Sequence, residues 1–143
     1  MKTIILSIQC RLTDKVPRLK YIDRDWGQLL LENAPVKWPC ALINLQSVEY
    51  KTVKNGEQHA QATFVITVCN GRTIPTSSRS PRKEDAYLIF ELIRDIHDAL
   101  KMFTNGDAFS PLMRTALEKC IIDASVESYN IYYSTSFHEA APT

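Results

Sequence analysis

Apolar positions along the chain recur first at helical spacing and then at strand spacing. Ile5, Ile8, Leu12 and Val16 fall at steps of three and four, which places them on one face of a helix that Pro17 stops. Arg18–Asp23 is short and β-prone, and Trp26, Leu29, Leu30 and Leu31 follow in a connection rich in large side chains. Pro35 and Pro39 bracket a turn into the clearest strand. There Ala41, Ile43 and Leu45 alternate with Leu42, Asn44 and Gln46 before Val48 and Tyr50 take the other parity. A one-residue slip flips faces unless a bulge absorbs it, so a bulge is predicted near Gln46-Ser47. Asn55-Gly56, inside Lys54–Glu57, supplies the two positive φ angles of a type I′ hairpin turn. The return strand puts Ala60, Ala62, Phe64, Ile66 and Val68 on one face. Gln61, Thr63, Val65, Thr67 and Cys69 form a second face whose far end is apolar enough to be covered or to meet a partner.

Residues 70–83 break the pattern: three Arg, one Lys, two Pro, three Ser and no acid predict a mobile loop. Ser80-Pro81 reads as a helix N-cap and first helical residue, with Glu84 and Asp85 in the early turns. Ala86, Ile89, Phe90, Ile93, Ile96, Leu100 and Phe103 then form a helical apolar stripe that Asn105-Gly106 ends. Ser110-Pro111 predicts a second, shorter helix through Leu112, Thr115, Ala116 and Cys120. The last strand has Tyr129, Ile131, Tyr133, Thr135 and Phe137 on one face and Asn130, Tyr132, Ser134, Ser136 and His138 on the other. The expected fold is therefore a single α+β domain over residues 1–143. It has an antiparallel-rich sheet, a long β-hairpin at about 41–69, a mobile loop at about 70–83 and helices packed on one face. Ile89, Phe90, Ile93, Ile96 and Leu100 are expected to bury against Phe64, Ile66, Val68, Ile131 and Tyr133.

Composition narrows the function classes. With 143 residues the chain suits one domain that needs neither disulfides nor metal to fold. Apolar residues at 45% and charged residues at 23% argue against disorder and membrane spanning, and a net charge of +1 lacks the basic excess of a dedicated nucleic-acid binder. Gln9 and Arg11 interrupt the apolar start too early for a signal peptide, and no small-x-small cleavage site follows. Cys10, Cys40, Cys69 and Cys120 form no C-x-x-C half-site, so reduced, buried thiols in a cytosolic protein are expected. No repeat of solenoid length is present.

No catalytic, cofactor or metal constellation emerges, and an enzyme is not expected. Gly27, Gly56, Gly71 and Gly106 are isolated, each suiting a turn. His59, His97 and His138 fall in different elements, and His97 and Asp98 diverge by about 100° on a helix, so the acid does not orient the base. Glu91 and Asp95 read as a solvated helix face. The one localised charge feature is Arg72, Arg79, Arg82 and Lys83 in the loop. It lacks the interleaved aromatics of a single-strand nucleic-acid site; a solvated loop and a contact with an acidic neighbouring subunit fit it equally well.

Several ordered stretches carry a resemblance. The amphipathic N-terminal helix leads into Leu19-Lys20-Tyr21-Ile22-Asp23 and Trp26-Gly27-Gln28-Leu29. Trp38-Pro39-Cys40-Ala41-Leu42-Ile43 opens the long strand, and Ser47-Val48-Glu49-Tyr50 carries it into the hairpin. Ile96-His97-Asp98-Ala99-Leu100 lies on the long helix, and Ile131-Tyr132-Tyr133-Ser134-Thr135-Ser136-Phe137 closes the chain. Over roughly residues 1–140 the chain resembles the tail terminator, or tail completion and head–tail joining, proteins of long-tailed bacteriophages and the prophages derived from them. The resemblance implies a structural subunit of a homo-oligomeric ring, a hexamer, that caps the tail tube, with the tail tube protein and the head connector as partners. It implies cytoplasmic assembly in the bacterial host, residence in the virion tail, no cofactor and no membrane partner. The alternative is a head–tail connector or adaptor that contacts DNA through the basic loop.

Overall fold

A computed structural model of the chain, which describes residues 1–71, 79 and 87–139, contains two helices and one five-stranded sheet. In chain order these are α1 (Lys2–Lys15), β1 (Tyr21–Arg24), β2 (Cys40–Thr52), β3 (Gln58–Gly71), α2 (Leu88–Leu100), β4 (Met113–Cys120) and β5 (Val126–Glu139). Spatial order is β1-β2-β3-β5-β4. Only β1 runs parallel to its neighbour, pairing Tyr21–Arg24 with Cys40–Ile43; every other pairing is antiparallel. The fold is α+β with both helices on one face, as the periodicity predicts.

The β2–β3 hairpin follows the sequence closely. Register shifts between Leu45 and Ser47, which is the predicted bulge, and it returns Val48 to the core face opposite Ala62. Asn55 (φ 62°) and Gly56 (φ 77°) occupy the left-handed region, and Glu57 N–H bonds back to the Lys54 carbonyl at 3.3 Å, as a type I′ turn requires. β3 is the central strand. Ala60, Ala62, Phe64, Ile66 and Val68 are buried beneath the helices, and Val65, Thr67 and Cys69 are buried on the opposite face. The apolar far end of that second face is thus covered within the chain. Cys40, Leu42 and Cys69 form its apolar part, and Thr67 donates to Asn130 Oδ1 across the strands at 2.7 Å.

On α1 the buried stripe is Ile4, Ile8 and Leu12, continued by Val16, all four residues apart; Ile5 lies at its margin. On α2 it is Ile89, Leu92, Ile93, Ile96, Ala99 and Leu100. Arg18 ties the segment after α1 to α2, with Nη1 3.0 Å from Glu91 and Nη2 2.7 Å from Asp95. The two acids expected to face only solvent therefore hold a partner, although so exposed an ion pair contributes little to stability.

Three expectations fail, each for a physical reason. The predicted second helix through Leu112–Cys120 is instead β4, running from Met113 and paired with β5 from Met113↔Ser134 to Cys120↔Ser128. Helix propensity in this stretch is strong, since Met113, Arg114, Ala116, Leu117, Glu118 and Lys119 are all good helix formers, but tertiary pairing overrides it: the ladder satisfies the outer backbone groups of β5 that a helix would leave open. The long helix stops at Leu100, not at Asn105-Gly106. Met102 turns into the left-handed region (φ 57°), and Met102 N–H and Leu112 N–H close the following loop onto Leu112 and Phe103 carbonyls. Gly106, with φ 59°, makes a turn within that loop. Phe90 is 45% exposed rather than in the core. Burial centres on Ile89, Leu92, Ile93 and Ile96, which leaves Phe90 at the rim, 5.5 Å from the Tyr129 ring and 6.0 Å from the Tyr87 ring. Asn70 and Gly71 belong to β3, so the polar loop starts later than residue 70. The readings of Ser80-Pro81 as cap, of Glu84 and Asp85, and of Ala86 in the stripe lie outside the described residues.

Candidate assembly surfaces

The sheet has two open borders. β1 shields β2 only over Cys40–Ile43, so among the described residues Asn44–Thr52 has no neighbour on its outer side. At the other border β4 pairs only with β5, and Met113–Lys119 is exposed throughout. Unpaired strand edges are templates for another chain unless they are shielded. Neither edge carries proline, and among the described residues no helix covers β4.

Apolar groups gather at both borders. Leu117, 47% exposed, stands opposite Ile131 on the helix side of the sheet, beside Tyr129. Phe90 and Tyr87 stack in sequence against Tyr129, so these four side chains form an apolar rim along β4. At the β2 border, a groove of about 560 Å³ opens where β1 stops, lined among others by Ile5, Leu6, Arg24, Asp25, Asn44 and Leu45. Separately, β1 and the turn that follows it hold a polar knot built from residues that carry the family resemblance. Tyr21 O–H donates to Asp23 at 2.7 Å, Trp26 Nε1 reaches the same carboxylate at 3.4 Å, and buried Gln28 donates to the Arg24 carbonyl at 3.1 Å. The Tyr21 hydrogen bond is the largest influence holding the Asp23 carboxyl below its usual range. Gly27 adopts φ 93°, which lets the chain turn within the knot.

Of the sequence-predicted contact residues, Arg79 is exposed, while Arg72, Arg82 and Lys83 lie outside the described residues. His97 is not paired with Asp98; its Nδ1 lies 3.1 Å from the Tyr133 hydroxyl, within hydrogen-bond distance, with the donor set by the ring tautomer. Burial pushes the His97 imidazole below its ordinary value, with Arg114 and Lys101 adding to the shift and Asp98 opposing it. In the unfolded chain His97 therefore takes up its proton first as pH falls. The stability it contributes is complete above pH of about 6.5 and is lost as pH falls through the depressed native value. Urea unfolding at stepped pH should show stability declining below pH of about 6.5, with a shallower decline in His97→Asn. Identical slopes in both proteins would contradict this.

The cysteines converge more than their spacing suggests. Cys40 and Cys69 face each other across β2 and β3, both fully buried, and Cys120 lies in the same cross-sheet row beyond Ser128. All four are free thiols. A hydrogen bond with Cys40, followed by burial, pushes the Cys69 thiol far up, away from the reactive thiolate. In native protein a thiol reagent should modify exposed Cys10 first and leave Cys40 and Cys69 unreacted until denaturant is added. Fast modification of all four without denaturant would contradict that packing.

Among the described residues no group of three or more His, Cys, Asp or Glu is placed to hold a metal, and no helix is long and apolar enough to cross a membrane. The structure also brings His59 beside His138, a proximity that no sequence signal announces. No family model matches the chain, and no curated protein matches it in sequence. Its fold is similar to that of a chain from the virion of a native gene transfer agent particle. The TM-score is 0.55 at 10% identity, over 92% of this chain and 84% of that one.

Proposed function

We propose that this chain is a structural subunit of a phage or prophage tail, similar to tail terminators, that closes into a ring on the end of the tail tube and joins it to the head. The observation that carries the reading is the fold it shares with a virion chain over nearly the whole of both proteins. The sequence resemblance points the same way, and the resemblance alone supplies the hexamer, the tube protein and the head connector as partners. The open borders at β2 and β4 suit it: opposite edges of one sheet make a head-to-tail contact that closes into a ring when the rotation fits. In this reading the subunit acts by occupying a surface rather than by catalysis, assembles in the host cytoplasm and resides in the virion tail.

The second reading, a head–tail connector touching DNA, rests on the positive charge of Arg72, Arg79, Arg82 and Lys83. Replacing all four with Ser separates the two. If the loop docks on protein, the variant fails to stop growth of tubes made from the cognate tail tube protein. If it faces DNA, capping survives and a salt-dependent DNA affinity falls. Tubes that keep growing when the wild-type protein is in excess would sink the terminator reading.

A further inference from the structure

We propose that His59 and His138 form a two-imidazole site for a divalent transition-metal ion, with Cu2+ the tightest binder. The two residues are direct cross-strand partners on β3 and β5, near the end of the sheet where the hairpin turns. Their ring centres are 4.9 Å apart with planes at 61°. A metal about 2.1 Å from one nitrogen of each ring lies about 3.2 Å from each ring centre, so nitrogen–metal–nitrogen angles of about 90–110° require centres about 4.5–5.2 Å apart. The observed separation falls in that interval, so chelation needs side-chain rotation but no movement of the strands.

Three further observations favour the site. Among the described residues neither imidazole makes a side-chain hydrogen bond or an ion pair, so its lone pair is open to a metal. Both rings are at least partly accessible, unlike the buried thiols. They also border a cavity of about 520 Å³, lined in addition by Asp107, Ser110 and Ser136, which leaves room for the metal's remaining ligands. With no third protein ligand in reach among the described residues, those positions fall to water or to a group on another molecule. Lys51 stands opposite His59 on β2, but it is exposed and its long stem lets the ammonium swing away. Imidazole ligands and an incomplete shell favour Cu2+ over Ni2+ and Zn2+ by the usual affinity order.

The test is titration of tag-free, chelator-washed protein with Cu2+ alone, followed by calorimetry and by electron paramagnetic resonance at one equivalent. One ion per chain is expected, with hyperfine coupling to two imidazole nitrogens. His59→Ala and His138→Ala should each weaken binding by about tenfold or more, since loss of an outer-shell group alone costs about that much. His97→Asn, away from the pair, should bind as wild type does. Circular dichroism checks that each variant is folded; should an alanine variant fail, the corresponding asparagine takes its place. Coupling to a single nitrogen, or unchanged affinity in either pair variant, would overturn the proposal.

Discussion

Phe64→Ala is expected to cost about 3–5 kcal/mol, a large share of the roughly 5–15 kcal/mol that holds an ordinary domain folded. Phe64 is fully buried at the centre of β3, paired with Leu45 on β2 and Tyr133 on β5 beneath the helices, so truncation leaves a cavity in a close-packed core. Phe90→Ala should cost about 1 kcal/mol, because half its ring already meets solvent and its contacts are rim aromatics. Chemical denaturation of the two variants side by side measures this. Similar costs, or a larger one at Phe90, would contradict the placement of the core.

The second large effect is on assembly. Phe90→Lys combined with Leu117→Lys puts two charges on the apolar rim of β4, where both side chains are about half exposed. The folded subunit should lose about 1 kcal/mol or less, as surface substitutions do. Ring closure on the tube should be lost outright, because an unpaired charge buried in a subunit contact is strongly unfavourable. Denaturation and tube-capping assays on one preparation separate the two outcomes. Normal capping by the double variant would place the subunit contact away from β4.

The parts of the fold legible in the sequence are those whose side chains see two different environments. β3 alternates from Ala60 to Phe64 and β5 from Ile131 to Phe137 because one face there lies under helices, and the slip at Gln46-Ser47 marks the bulge because Val48 returns to that face. Asn55-Gly56 named its turn through backbone sterics alone. β4 stayed hidden because it is exposed on both faces: Arg114, Ala116, Leu117, Glu118 and Lys119 carry no strand alternation, and only the long-range ladder to β5 makes them a strand. Phe90 was misplaced because a stripe read at steps of three and four admits two adjacent tracks on one helix. Leu92 and Ala99, facing the core, select the track that leaves Phe90 at the rim.

The candidate surfaces were less legible than the fold. Charge at Arg72, Arg79, Arg82 and Lys83 is visible in composition. An open edge exists only once strand order is known, and the apolar rim exists only because β4 is a strand. The same holds for His59 with His138 and for Cys40 with Cys69: residues far apart in sequence meet through the register of β3 with its two neighbours.

Negative-stain imaging of the wild-type protein mixed with tubes of the cognate tail tube protein decides whether the subunit caps a tail. Added ring density is expected at one end of each tube, six-fold when viewed down the axis, with no further lengthening. Bare tube ends with the protein at saturating concentration, or decoration along the tube wall, would contradict capping.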